Sequence, residues 1–280
     1  MKPGTILISL NDIHNLEGFL ETSCNYAAQY DAHLIGVFVI PAMRIYPVYD
    51  GIAMADIVDG QYQRCKEKAE LVRQQFEAAL KKNLISGEWR ELTSVQPYIA
   101  DDFIEQARAC DLVMIPQVDR NTDCGVEQEF ADRIIMEAGR PVLLIPRGKT
   151  FKTVGEKVLI GWNRSQESAR ASFDSLPLLS PESDVNLVWV NPQRESALAG
   201  KVPGAELAKT FAHHDIKVTA EVLPTANLNP GAALIEHAVD LGADLLVMGA
   251  YGHSRMRELI FGGATRHVLD NMTVPILMSR

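Results

Sequence analysis

Four glycines near the C-terminus stand at a spacing that suits one kind of chemistry, the holding of an anion by backbone N–H groups. Gly249 and Gly252 are three positions apart, nine residues from His253 to Phe261 follow, and the adjacent pair Gly262 and Gly263 leads into Ala264 and Thr265. A strand that ends in glycine, followed by paired glycines that open a helix, lets backbone N–H groups approach an anion without a Cβ in the way. The helix start adds its unpaired N–H groups and the positive end of its dipole. Phosphate is the natural ligand, with a hydroxyl from Thr265 and with His253, Ser254 and Arg255 placed to face its outer oxygens. Neither the GxxxxGK[ST] loop nor the GxGxxG turn occurs. Glycines also end strands and cap helices for purely structural reasons, and that reading stays open.

Such a loop needs a strand before it and a helix after it, and the chain supplies both twice. Short β-branched or leucine-rich runs alternate with amphipathic helical segments, the pattern of a parallel sheet covered by helices. Strands are predicted near 4–9, 33–39, 90–95, 111–115 and 141–146, and again near 157–162, 184–190, 216–222, 244–248 and 275–279. Asn229 as N-cap, Pro230 at the first helical position and Gly242 just past the end predict a helix that runs to Asp240. Pro141 and Pro275 open their strands, which also suits edge strands.

The two series are copies of each other. GTILISLND (4–12) aligns with EKVLIGWNR (156–164), pairing Asn11 with Asn163. ARACDLVMIPQ (107–117) aligns with DLGADLLVMGA (240–250), pairing Asp111 with Asp244, and RPVLLIPR (140–147) aligns with VPILMSR (274–280), pairing Pro141 with Pro275. Three matches in the same order mean duplication. The chain is therefore expected to form two domains, 1–148 and 153–280, joined by the polar segment 149–157, and 280 residues suffice for two cores. The first half has an extra segment, about 41–61, with Tyr46 and Tyr49, before a long charged helix near 62–86. A flap and a packing segment are both compatible with it.

The glycine loop, GAYGHSRMRELIFGGATRHVL (249–269), resembles the ATP-binding signature of the universal stress protein family, Gly-x2-Gly-x9-Gly-(Ser/Thr). Gly263 departs from it by standing in the Ser/Thr slot, so that one hydroxyl to phosphate is lost. The resemblance extends over nearly the whole chain as the tandem two-domain type. It implies an α/β fold of two doubly wound domains, each a five-stranded parallel sheet in the order 3-2-1-4-5 with helices on both faces. In that order the loops after strands one and four meet at the topological switch point, where open α/β sheets bind ligands. The resemblance further implies ATP, with Mg²⁺, held by Trp162 and Asn163 after strand one, by the backbone of Val190 at the end of strand two, and by Met248 beside the base or ribose. An Asp is commoner in the family at the position of Asn163. It also implies that the halves pair through their last strands and that a homodimer is plausible.

The first half lacks the loop. Pro116 stands for Gly249, Asp119 for Gly252, and Glu129 or Phe130 for the paired glycines, while Asp119, Asp123, Glu127, Glu129 and Asp132 bring like charge against a triphosphate. No ATP is expected there. Charge follows the same division: residues 1–148 hold 22 acids and 14 bases, residues 149–280 hold 14 acids and 13 bases, and the net charge of −9 argues against nucleic acid. No apolar run approaches the roughly 18 residues of a membrane span. Cys24, Cys65, Cys110 and Cys124 form no CxxC pair, which fits a reducing cytoplasm.

An efficient phosphotransferase needs a phosphate-reaching Lys and metal-binding acids. The loop offers His253, Arg255 and Arg257 but no Lys, and Glu258 alone as an acid. Slow hydrolysis with His253 or Asn163 positioning water stays open. Neighbouring His213 and His214 are read as solvent-facing. The expectation is an ATP-binding stress or regulatory protein; the alternative is a scaffold that binds no nucleotide.

Overall fold

A computed structural model describes residues 2–12, 14, 16–42, 52–118, 126–190, 204–224, 229–251 and 263–280, with residues 52–58 described as backbone only. Gly252, His253, Ser254, Arg255 and Gly262, together with Cys124 and the tyrosines at 46 and 49, lie outside the described residues.

The chain divides into two compact units. One comprises Gly4–Arg140 and Arg147–Thr150; the other comprises Phe151–Arg280 with Met1–Pro3 and Pro141–Pro146. The first unit holds β1 (Thr5–Ser9), α1 (Leu16–Tyr30), β2 (His33–Ile40), α2 (Ile52–Asn83), β3 (Gly87–Thr93), α3 (Ala100–Ala107), β4 (Leu112–Pro116) and α4 (Phe130–Glu137). Its strands are parallel in the order β3-β2-β1-β4. β1 and β4 are apolar and buried almost throughout, because helices cover both faces. β3 alternates between exposed and half-buried residues, as an outer strand does. The long helix α2 begins ten residues earlier than the sequence predicts, so Ile52 to Gln61 of the extra segment are helical rather than loop.

The second unit holds β5 (Val142–Ile145), β6 (Lys157–Gly161), α5 (Gln166–Ser175), β7 (Asp184–Val190), α6 (Ala205–Ala212), β8 (Val218–Leu223), α7 (Pro230–Leu241), β9 (Leu245–Gly249), α8 (Gly263–Asn271) and β10 (Ile276–Ser279). Parallel pairing runs β8-β7-β6-β9-β10, the order 3-2-1-4-5 within the second half. β5 adds antiparallel to β10, with Leu143 opposite Leu277. The last strands of the two repeats thus pair with each other, and Val142–Ile145 goes with the second unit although it belongs to the first repeat. β10 is consequently flanked on both sides, which corrects the reading of its leading proline as an edge signal. Pro275 precedes the first strand residue, and its carbonyl accepts from Leu246 N at 2.9 Å, so the missing N–H interrupts no ladder.

Helix α7 obeys its local signals. Asn229 Oδ1 accepts from Gly231 N at 2.8 Å, Pro230 occupies the first turn, and Gly242 at φ 64° closes the helix in the left-handed region. The repeat-paired aspartates turn out to be structural twins. Asp111 Oδ2 accepts from Gly4 N, Thr5 N and Thr5 Oγ1 at 2.9–3.0 Å, and the Asp244 carboxylate accepts from Gly155 N, Glu156 N and Lys157 N at 2.9–3.1 Å. Each ties the start of its strand one to the start of its strand four, and Asp244 in doing so anchors the end of the 149–157 segment. His213 and His214 are exposed, as expected. Cys24, Cys65 and Cys110 are buried and form no disulfide among the described residues. No described helix is long and apolar enough to cross a membrane, and the described residues hold no group of three His, Cys, Asp or Glu that could bind a metal ion.

Candidate functional site

β6 lies between β7 and β9, and its own connection departs toward β7 while β8 returns to β9 by α7. The carboxyl ends of β6, β7 and β9 therefore bound the switch-point crevice of the second half.

After β6, Trp162 N donates to Val188 O at 2.8 Å and extends the ladder by one residue. The half-buried indole packs at the start of α6, with its Cδ1 3.7 Å from the point where Gly204 would carry a Cβ. Asn163 is exposed, and its Oδ1 accepts from Ser165 N at 3.0 Å in an Asx turn. That turn delivers Ser165 as N-cap of α5, where its Oγ accepts from Ser168 N at 3.1 Å. Arg164 adopts φ 60° and carries its guanidinium over the Trp189 ring, 5.7 Å from the centroid, with Glu206 3.5 Å away.

Val190 ends β7 opposite Leu223 of β8. Since Val188 O faces β6, the alternation of a strand turns the N–H and C=O of Val190 to the same side, beyond the end of the β6 ladder. No side-chain hydrogen bond reaches either group among the described residues. Met248, one strand over, is buried on the α7 face, next to Gly161 and Leu234.

At Gly249 a Cβ would lie 2.4 Å from the backbone of both Glu167 and Ser168. The first turn of α5 therefore requires glycine there whether or not a ligand binds, a physical reason different from the approach of phosphate that its spacing suggests. Beyond it, Ala250 N donates to Ser279 O at 3.1 Å, and Tyr251, at φ 60°, donates its N–H to the buried Thr265 Oγ1 at 3.3 Å. The Thr265 hydroxyl thus holds the strand-four exit and keeps one hydrogen to donate. Gly263 opens α8, and among the described residues the nearest heavy atom to a Cβ added there is Asn229 Nδ2 at 3.4 Å. Ala264 packs its carbonyl against α7, 2.4 Å from where Gly231 would have a Cβ, which brings the two helix starts together.

Five described non-glycine residues have left-handed φ, and Asp31, Leu84 and Asp215 simply follow the ends of α1, α2 and α6. The other two, Arg164 and Tyr251, leave β6 and β9 at the crevice. Each such conformation costs roughly 1–3 kcal/mol and is held by its surroundings. Neither residue announces itself in the sequence beyond its place next to a motif position, and Asn229, which lies beside Gly263, is marked there only as the N-cap of α7.

The equivalent crevice of the first half is filled from within. Leu10 N donates to Val37 O at 2.9 Å, exactly as Trp162 does to Val188, so Val39 corresponds to Val190 and Asn11 to Asn163. Here the buried carboxamide of Asn11 swings onto Val39: Nδ2 donates to Val39 O at 2.7 Å, and Oδ1 accepts from Val39 N at 2.9 Å. The turn is made one residue later, by Asp12 Oδ1 accepting from His14 N at 3.2 Å. Arg147 lies 3.5 Å from the buried Asp12 carboxylate and donates through Nε to Gln117 O at 2.7 Å. Of the five acids in the 119–132 loop, Asp119 and Asp123 lie outside the described residues. Glu127 turns inward, accepting from Ile99 N at 3.3 Å with Arg133 3.5 Å away, and burial pushes its carboxyl above the ordinary range. Asp132 is also buried.

Residues 176–280 match the universal stress protein family. The chain is 30% identical over 151 residues to the universal stress protein Slr1230 of Synechocystis, a match covering 53% of this chain and 50% of that protein, so the chain spans about half of that relative's length. In solved structures the whole chain superposes on a universal stress protein of Archaeoglobus fulgidus (TM-score 0.66, 14% identity, 100% of this chain and 99% of that one). It also superposes on a functionally unknown protein of Pseudomonas aeruginosa (TM-score 0.62, 14% identity, 99% and 92%). Residues 176–280 thus match the universal stress protein family, and the chain as a whole shares the two-domain α/β fold of these solved structures.

Proposed function

We propose that the chain is a cytoplasmic nucleotide-binding stress or regulatory protein that holds ATP, with Mg²⁺, in the crevice of its second half. The observation that carries this reading is the Val190 edge, which no side chain among the described residues bonds, whereas its first-half counterpart Val39 is bonded by Asn11. A base at that edge would lie beside Asn163 and Trp162, while its phosphates would run toward α8, whose first residue, Gly263, presents no side chain. The donor set fits a nucleotide: a backbone N–H and C=O for the base, and helix N–H groups for the phosphates. Met248, Gly249, Ala264 and Thr265 act as the frame that sets the strand-four exit, and Gly252, His253, Ser254, Arg255 and Gly262 complete the phosphate loop. Mg²⁺ would be carried on the phosphates and water rather than in a protein cage. Binding rather than turnover is the proposed activity, with occupancy changing the surface offered to a partner.

A scaffold that binds no nucleotide is the second reading, favoured by Gly249, whose lack of a side chain is explained by α5 alone. Isothermal titration of the full chain with Mg-ATP, beside a Gly252→Asp variant, separates the two. One site per chain, lost in the variant, supports the nucleotide reading. Absence of both heat and bound nucleotide in the wild type overturns the nucleotide reading and makes the glycines structural.

A further inference from the structure

We infer that the residue following the strand-one asparagine, Asp12 in the first half and Arg164 in the second, determines which half can accept an adenine base. The inference rests on the nucleotide reading above for its ligand, and it begins from one residue type found in two arrangements at equivalent places. A carboxamide offers one donor and one acceptor side by side, as the N6–N1 edge of adenine does. Asn11 uses both on Val39, so the first half already carries an internal substitute for the base. Asn163 has the same atoms but spends its Oδ1 on Ser165 N, and no side chain among the described residues bonds the edge at Val190.

What separates them is which side chain makes the turn into the next helix. That turn needs an oxygen acceptor two residues before the N–H it receives. Asp12 supplies one to His14 N, which releases Asn11 to cover Val39. Arg164 has no acceptor, so the task falls to Asn163. Its left-handed backbone and its contacts with Trp189 and Glu206 keep the guanidinium on the α6 side of the crevice. An Asp at position 164 would take over the turn and let Asn163 close the Val190 edge.

The test is titration of the full chain with adenosine, which has no phosphate for an introduced carboxylate to repel. Arg164→Asp should weaken adenosine at least tenfold relative to Arg164→Glu, which has the same charge but a side chain one methylene too long for the turn. Adding Asn163→Ala to Arg164→Asp should strengthen binding at least tenfold again, because the residue that would cover the edge is gone. Equal affinities for the Asp and Glu variants, or no recovery in the double variant, would overturn the inference. Should the wild type bind neither adenosine nor Mg-ATP, the nucleotide reading fails by itself, and amide exchange at Val190 decides the positional claim. Exchange slowed in Arg164→Asp and fast again in the double variant sustains it; exchange unchanged by Arg164→Asp refutes it.

Discussion

The two halves of this chain share a strand order, a strand-one asparagine and a strand-four aspartate, yet their crevices differ in kind. In the first half the polar groups of the switch point satisfy one another: Asn11 with Val39, Asp12 with Arg147, Arg147 with Gln117. In the second half the asparagine turns away to Ser165, no side chain among the described residues bonds the Val190 edge, and two left-handed residues stand at the rim. Duplication has kept the frame while its polar groups are spent differently: a buried polar group left without partners costs stability, and in the first half the side chains supply those partners themselves.

The comparison can be broken most forcefully at Gly249. Its counterpart Pro116 carries a full side chain, but a Cβ at 249 would overlap the α5 backbone at 2.4 Å. Gly249→Val should destabilise the second half by about 3 kcal/mol, read as a lowered midpoint in urea unfolding. A midpoint equal to wild type would mean that α5 does not constrain this position.

The asparagines sharpen it next. Asn11→Ala strands a buried N–H and C=O, and should cost about 2–4 kcal/mol. Asn163→Ala loses one exposed turn bond, and should cost about 1 kcal/mol or less. Equal unfolding losses would erase the distinction between the crevices.

A smaller effect belongs to pH. Burial works against the ionised Asp111, but its bonds from Thr5 and Gly4 outweigh this and hold its pKa below the ordinary value of 3.8. A carboxyl depressed in the folded state contributes stability that is present above the unfolded pKa and lost as pH falls through the folded one. Asp111→Asn should therefore flatten the acid limb of the stability curve below about pH 4. Urea midpoints measured from pH 5 downward would show it; a limb as steep as wild type would place the acid sensitivity elsewhere.

The smallest change in stability is expected at Gly263→Ser. Among the described residues only Asn229 Nδ2, at 3.4 Å, lies near an added Cβ, so stability should shift by no more than about 0.5 kcal/mol. The restored hydroxyl should tighten Mg-ATP about tenfold in titration, whereas unchanged affinity would show that the family's Ser/Thr slot does not contact phosphate here.

Much of this architecture was legible in the sequence because it is local. Alternating apolar runs mark strands, Asn229-Pro230 and Gly242 mark a helix, and the pairing of Asp111 with Asp244 flags two positions with the same task. The start of α2 was less legible, since a segment with prolines and glycines ahead of Ile52 reads as loop until the helix is seen to continue. The site was legible as a glycine spacing, but the reason for Gly249 was not, because the atoms that exclude a side chain there come from α5, more than eighty residues earlier.

By itself, then, the sequence determined the repeat, the fold class and the half that carries the glycine loop, for all of these rest on periodicity and on which residue types tolerate a turn. Only the tertiary structure decided that Asn11 and Asn163, aligned and identical, have opposite roles. A side chain with both donor and acceptor can serve either its own turn or the neighbouring strand, and the choice depends on groups brought together by the sheet: Val39 and Asp12 in one half, Ser165 and Arg164 in the other.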